Sequence, residues 1–279
     1  MTRASVIFGL AGVIAASLCA TAFAADEDTA AIVGGDSTIF GLTGLVESPE
    51  AYTAGPDEVV LGVAYLNNND NDFSAFVPTL VFGVDDRLEF GAFGQFIQEG
   101  TSDDDFGVSA KFKFYDERRG TDIAIADEAA GGGYPSMAGW YTYQDTDAVR
   151  RHQLGLTGSW TFLDNPLEID DDENNTGTEN LSNTTLTLGA SYQILDTDAA
   201  STIPENTWGW YGGINLAPAP EWNVVLEYNV IEEDSLDEDG FAGALRYHWG
   251  SPNPDEAAWM VQAGVVNNDN LLVGAQVTF

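Results

Sequence analysis

The stretch FGVSAKFKFY, which runs from Phe106 to Tyr115, shows most clearly the residue pattern from which the fold is predicted. Two lysines, Lys111 and Lys113, alternate in it with aromatic residues. A period of two is typical of a β-strand, in which successive side chains point to opposite faces, whereas on a helix the lysines would interrupt any apolar face. We therefore predict a strand with one apolar face and one polar face that carries both lysines.

The same period recurs along the chain in segments of about 10 residues, separated by clusters of Asn, Asp, Gly and Pro. The polar faces are rich in Gly, Ser, Thr and Gln, and the apolar faces carry Trp and Tyr near segment ends, as in the interfacial girdles of membrane barrels. A secreted β-sandwich, whose sheets each have one solvated face, is the alternative. We predict an all-β fold, a transmembrane antiparallel up-and-down β-barrel of about 12 strands, with a range of roughly 10 to 14. The predicted strands are 58–66, 73–83, 87–98, 106–115, 121–128, 153–162, 185–194, 208–216, 222–230, 241–249, 257–266 and 271–279.

Residues 1–24 have the three parts of a cleaved signal peptide. Arg3 provides the positive charge, residues 6–16 the apolar stretch, and Ala22-Phe23-Ala24 the small-residue cleavage site. Cys19 is the one cysteine of the chain, so the mature protein is expected to have neither a disulfide nor a thiolate metal site.

The mature chain is predicted to have two parts. Residues 25–57 form a periplasmic N-terminal lead-in, and residues 58–279 form the barrel in the outer membrane of a Gram-negative cell. No segment after the leader has the about 20 consecutive apolar residues of a membrane-spanning helix. Outer-membrane lipid is therefore an expected partner.

The charge is strongly acidic, with 45 acidic residues against 9 basic ones and a net charge of −36. Nucleic acid is excluded as a partner, because its phosphates would be repelled. The acidic runs fall in predicted loops, which indicates a solvated surface suited to high salt and a halophilic source. Refolding that proceeds as well at low salt as in molar salt would contradict this hypothesis.

No cofactor or metal is expected, and weak calcium binding at loops is the alternative. The runs 67–72 and 234–240 are rich in oxygen ligands, which suit calcium, but neither has a glutamate at the spacing of an EF-hand loop.

Strand parity places a nearly balanced set of charges on the lumen face. These residues are the predicted determinants of any selectivity: Glu89, Lys111, Lys113, Glu227, Arg246 and His248. His248 is expected to hydrogen-bond Glu227 or a glutamine. The barrel is expected to be filled by its own side chains and to leave at most a thin pore.

The connectors orient the barrel with both termini on the periplasmic side. The connectors opposite the termini are predicted to be generally longer and more polar, and this includes 129–151. The long acidic connector 163–180 departs from this rule. Either it is an unusual turn or one strand has been miscounted, with 138–145 as the first candidate for a missed strand.

The sequence favours a protein that is not an enzyme. Only His152 and His248 are available as imidazole bases, and neither lies in a recognisable catalytic motif.

The C-terminal segment resembles the last strand of bacterial outer-membrane barrels, which alternates apolar residues and ends in phenylalanine. The resemblance implies recognition by the barrel-assembly machinery through Val273, Ala275, Val277 and Phe279. A second resemblance covers GLTGL at 41–45, SPEA at 48–51 and the hairpin around 77–91. These segments are similar to a barrel family associated with exopolysaccharide secretion loci, which implies polysaccharide export components as partners.

Taken together, the sequence predicts a passive outer-membrane barrel. It is either a narrow, porin-like channel or a structural envelope barrel with a link to polysaccharide export. The alternative is a rim-sited enzyme or an adhesin that uses acidic extracellular loops.

Overall fold

A computed structural model of the chain describes residues 36–68, 73–99, 104–115, 135–145, 149–163, 183–197, 206–219, 221–232, 238–250 and 257–279. Within these ranges no helix is long and apolar enough to cross a membrane. The described residues form twelve strands: β1 (Val59–Asn68), β2 (Phe73–Gly83), β3 (Leu88–Glu99), β4 (Asp105–Tyr115), β5 (Ser136–Asp145), β6 (Val149–Leu163), β7 (Asn183–Thr197), β8 (Asn206–Ala219), β9 (Trp222–Glu232), β10 (Glu238–Gly250), β11 (Ala258–Val266) and β12 (Asn270–Thr278).

The strands close into one antiparallel up-and-down barrel. Each strand pairs with its neighbours in the chain, and β1 closes the ring by pairing with both β2 and β12, so that Val60 lies opposite Val81 on one side and Thr278 on the other. Closure removes free strand edges and satisfies the backbone polar groups that lipid cannot. The predicted twelve-stranded barrel is confirmed.

Strand β4 shows why the fold follows from the pattern. Phe106 and Phe112 are 56% and 50% exposed on the outer wall, whereas Lys111 and Lys113 are 1% and 7% exposed on the inner wall. The outer wall elsewhere also exposes Leu, Val, Trp and Tyr, and aromatic rings contact one another at the end of the barrel that carries the chain terminus. An apolar belt with an aromatic girdle on a closed barrel is what the outer membrane requires, so the predicted location is confirmed.

The fifth strand differs from the prediction. The strand that follows β4 and pairs with it is β5 (Ser136–Asp145), near the candidate for a missed strand, whereas 121–128 lies outside the described residues. In β5 the inward face carries Trp140 and the outward face carries Gly139, so the contrast between the two faces is weak. This weak contrast hid the strand in the sequence.

The connectors also differ from the expected arrangement. The two longest, 116–135 and 164–182, both follow strands that run toward the end of the barrel where β12 finishes. The connectors at the opposite end, such as 146–148 and 267–269, are shorter. The prediction that long connectors lie opposite the termini, including one over 129–151, is therefore wrong. It failed because the fifth strand is β5 and not 121–128. The connector before it, 116–135, is therefore long and the connector after it, 146–148, is short, while the sides of the later connectors stay as predicted.

Candidate functional site: the lumen and its plug

The structure places the side chains of all six predicted lumen residues inside the barrel. They are buried, with exposed fractions of 8% or less: Glu89, Lys111, Lys113, Glu227, Arg246 and His248. They lie on β3, β4, β9 and β10, where strand parity had put them. Their role in selectivity stays a prediction.

The lumen also holds part of the chain itself. Residues Asp36–Ala54, which we call the plug, lie inside the barrel, and within them every residue except Phe40 and Thr53 is buried. This placement corrects the predicted periplasmic lead-in for residues 36–54, while 25–35 lie outside the described residues. A twelve-stranded barrel is wider than the eight-stranded barrels that side chains alone can fill, and it has room for an additional segment.

The plug keeps its shape through two short turns. Ser37 bridges to Thr43, and Gly44 bridges to Pro49. The first turn contains Gly41 in the left-handed region, with φ of 67°, which other residues rarely adopt. The backbone at Gly41 also lies against β3, since a Cβ built on Gly91 would be 1.5 Å from the Gly41 carbonyl oxygen. The plug backbone therefore packs closely against β3 at Gly91, where the wall has no side chain.

A buried ion pair holds the middle of the plug. Lys111 Nζ lies 3.0 Å from Glu89 Oε1, and both side chains are fully buried. Lys111 also donates to the carbonyl oxygen of Thr43 at 2.8 Å and to its hydroxyl, while Glu89 accepts from the backbone N–H groups of Thr43 and Ala54 at 2.9 and 2.8 Å. The pair thus holds the plug backbone, because Lys111 donates to a plug carbonyl and Glu89 accepts from plug N–H groups.

Arg246 forms a second anchor across the lumen. Its guanidinium donates to the Asp36 carboxylate at 3.1 Å, to the Gly44 carbonyl at 3.3 Å and to the Leu45 carbonyl at 2.6 Å. His248 Nε2 lies 3.4 Å from the same Asp36 carboxylate, within ion-pair distance but without hydrogen-bond geometry. The predicted partner of His248, Glu227 or a glutamine, is therefore replaced by Asp36, a plug residue.

Glu227 forms a third anchor, which is purely an acceptor. Its Oε2 accepts from the backbone N–H groups of Val46 and Glu47 at 3.1 and 3.0 Å, while its Oε1 is buried without a hydrogen-bond partner. The Glu47 carboxylate accepts from Asn229 at 3.2 Å, and Glu50 Oε1 is also buried without a partner. Burial raises the pKa of Glu47 to about 8, with a further rise from Glu227, and burial raises the pKa of Glu50 to about 7 against the opposing effect of Arg246 and Lys111.

Apolar packing supports the half of the plug that lies away from the chain terminus. Plug residues Ile39, Leu45 and Val46 form one buried cluster with wall residues that include Val225 and Leu272. Phe40 contacts Phe93 edge to face, with ring centroids 5.6 Å apart. Polar anchors and apolar packing together hold the plug in the lumen.

The arrangement does not resemble a catalytic or metal site. His152 lies at the outer wall, where its Nδ1 is 2.8 Å from the Tyr141 hydroxyl and its ring contacts the ring of Tyr143. Within the described ranges, no group of three or more His, Cys, Asp or Glu side chains is arranged to hold a metal ion. Of the two candidate calcium runs, 67–72 and 234–240, the parts 69–72 and 234–237 lie outside those ranges.

The plug residues were missed by sequence reasoning. Five permanent charges were predicted to face a narrow lumen, and buried charges need partners. This requirement was the signal in the sequence that another segment of the chain could enter the lumen. Asp36, Glu47 and Glu50 of the plug belong to the same electrostatic cluster as those wall charges.

Comparison with known proteins shows similarity of fold. No family model matches the sequence, and neither does any curated protein. A solved KdgM porin is 10% identical with a TM-score of 0.48, and the match covers 79% of this chain and 99% of that chain. An outer membrane channel from Pseudomonas putida F1 is 12% identical with a TM-score of 0.43, covering 84% and 98%. A bacterial polysaccharide outer membrane secretin is 10% identical with a TM-score of 0.38, covering 80% and 97%. With identities of 10–12% and TM-scores below 0.5, these structures carry no conclusion about the function of this chain.

Proposed function

We propose that the protein is a narrow, passive outer-membrane channel that its own plug closes. One observation carries the proposal: charged side chains of the wall hold the plug chiefly through its backbone. With the plug displaced, the same charges, together with Ser, Thr, Asn and Gln side chains of the inner face, would line a water-filled path. The proposal assigns the protein no catalytic role.

The wall residues that bind the plug are also the proposed determinants of selectivity. Lys111, Lys113 and Glu89 lie on the neighbouring strands β4 and β3. Arg246 and Glu227 lie on the neighbouring strands β10 and β9, so each of these two parts of the inner wall carries both signs of charge. We infer that exchange of one of these charges changes the preference for cations over anions.

Planar-bilayer recording tests the proposal directly. The full chain should give rare, short openings, whereas a variant lacking residues 36–54 should give frequent, discrete conductance. Lys111→Glu in the deleted variant should shift the reversal potential in a salt gradient toward cation selectivity. A deleted variant that is folded by circular dichroism but silent in the bilayer would contradict the channel and favour the structural envelope barrel.

A link to polysaccharide export rests on the resemblance carried by residues 41–45 and 48–51, which are plug residues. If export components bind this protein, the plug is the segment that they would have to displace. Recordings of the full chain with and without an added neutral polysaccharide would test this link, since an unchanged opening frequency would contradict it. The proposed assembly signal at Val273, Ala275, Val277 and Phe279 is tested separately below.

A further inference from the structure

The interface between plug and wall contains more carboxylates than permanent cations. Among the buried side chains, five are carboxylates and three are lysine or arginine. The carboxylates are Asp36, Glu47, Glu50, Glu89 and Glu227, and the cations are Lys111, Lys113 and Arg246. Lys111 pairs with Glu89, and Arg246 pairs with Asp36. Lys111 and Arg246 are thus already paired with two of the carboxylates, and Lys113 lies two residues from Lys111 on β4.

The other three carboxylates lie on facing elements of the plug and the wall. Glu47 and Glu50 belong to the plug, and Glu227 belongs to β9. The side chains of Glu50 and Glu227 each have one oxygen that is fully buried and accepts no hydrogen bond. An ionised carboxylate in that state is strongly unfavourable, whereas a protonated one loses its charge and gains a donor.

We propose that the plug is a pH-controlled gate, retained in the lumen while Glu47 and Glu50 are protonated and released as they ionise. The inference rests on the proposed channel function and specifies its regulation. Ionisation places negative charge on the plug face that meets Glu227, so that plug and wall repel each other. It leaves in place the Lys111–Glu89 and Arg246–Asp36 pairs, which limit how far the plug can move.

The direction of the effect follows from proton linkage. In the closed state both carboxyl groups hold protons at pH values where a solvated glutamate, with a pKa of 4.5, has already ionised. Closure is therefore strongest below about pH 4.5 and is lost as pH rises to about 8. For each carboxyl group that loses its proton when the channel opens, the ratio of closed to open channels falls about tenfold per pH unit within this window.

The other groups that face these carboxyls do not reverse the sign. They are Asp36 and Tyr52 of the plug, Glu89 on β3, Lys111 and Lys113 on β4, Tyr211 on β8, Glu227 and Asn229 on β9, Arg246 and His248 on β10, and Asn267 in the turn after β11. Lys111 and Arg246 favour the ionised form of Glu50, whereas Asp36 and Glu227 oppose it, and burial outweighs both effects.

Single-channel recording of the full chain between pH 5 and pH 9 tests the gate. We expect the frequency of openings to rise at least about tenfold from pH 6 to pH 8. The double variant E47Q/E50Q keeps the size of both side chains but cannot ionise, so it should stay closed across the whole range. E221Q, in an exposed turn away from the plug, is the matched control and should respond to pH as the parent does.

A chemical measurement gives a second, independent readout. The mature chain is expected to lack cysteine, so Ser48→Cys introduces one thiol in the plug and Glu221→Cys introduces one in an exposed turn. The ratio of their maleimide labelling rates cancels the pH dependence of the reagent. This ratio should rise with pH in the parent background and stay constant in the E47Q/E50Q background.

The outcomes separate the gate from the channel. A parent whose openings and labelling ratio do not change with pH, beside a plug-deleted variant that conducts, would overturn the gate and leave the channel intact. A pH response that persists in E47Q/E50Q would also overturn it. Silence of the folded, plug-deleted variant would instead overturn the channel, and the gate with it.

Discussion

Replacement of Lys111 by methionine tests whether the buried ion pair anchors the plug. The change keeps most of the side-chain length and removes the ammonium group, which lies 3.0 Å from Glu89. Glu89 would remain fully buried but would lose its counterion. It would still accept hydrogen bonds from Thr43 and Ala54, and the Thr43 carbonyl would keep only the Glu50 N–H as a donor.

The expected loss of stability follows from this geometry. Breaking a buried ion pair from one side typically costs about 3–5 kcal/mol, because the remaining charge has no counterion. The hydrogen bonds that Glu89 keeps place the expected loss for Lys111→Met near the lower end, at about 3 kcal/mol. In the double variant K111M/E89Q no charge remains, and the glutamine oxygen can still accept from the Thr43 N–H, although the Ala54 N–H loses its acceptor. We therefore expect the double variant to lose only about 1–2 kcal/mol.

Urea unfolding in lipid vesicles, followed by tryptophan fluorescence, measures these free energies by linear extrapolation. Val108→Met, which changes an outward side chain on the same strand, is the control and should remain within about 0.5 kcal/mol of the parent. The reasoning would be refuted if Lys111→Met were as stable as the control. It would also be refuted if the loss in the double variant equalled the sum of the losses in K111M and E89Q, because neighbours in one network should not be additive.

Three further predictions concern the plug, the lipid face and assembly. Gly91→Ala should raise the frequency of channel openings at constant pH, because its Cβ would be 1.5 Å from the Gly41 carbonyl oxygen, whereas Gly139→Ala, whose nearest neighbour is at 3.6 Å, should behave as the parent in the same recordings. Leu156→Lys places a charge on a side chain that is 60% exposed at the middle of β6, and vesicle unfolding should show a loss of about 2–4 kcal/mol, which a wild-type-like midpoint would contradict. Phe279→Ala should slow barrel assembly in cells and leave refolding into detergent unchanged; slowing of both would point to a folding defect instead of a lost recognition signal.

Much of the barrel could be predicted from residue alternation. In β4 the contrast between phenylalanine and lysine is large, and the structure places each side chain on the predicted face. In β5 the contrast is small, because Trp140 faces inward and Gly139 faces outward, and a strand was assigned elsewhere. A local pattern predicts a strand only when its two faces meet different solvents and its residues differ accordingly.

The plug shows where local patterns stop being informative. Residues 36–54 have no sustained period, because the segment turns twice within the lumen and is surrounded by wall on all sides. Its partners are distant in sequence: Asp36 meets Arg246, and Val46 meets Glu227. The sequence indicated that charges face the lumen, but not that the chain itself supplies their partners.

Residue alternation alone predicts a β-barrel with a lipid-facing exterior and charges inside, because hydrocarbon outside and polar groups inside impose a period of two on the strands. That the lumen contains residues 36–54, and which contacts hold them there, is shown only by the tertiary structure. Those contacts join residues far apart along the chain, and their free energy depends on burial and distance, which no local pattern of residues contains.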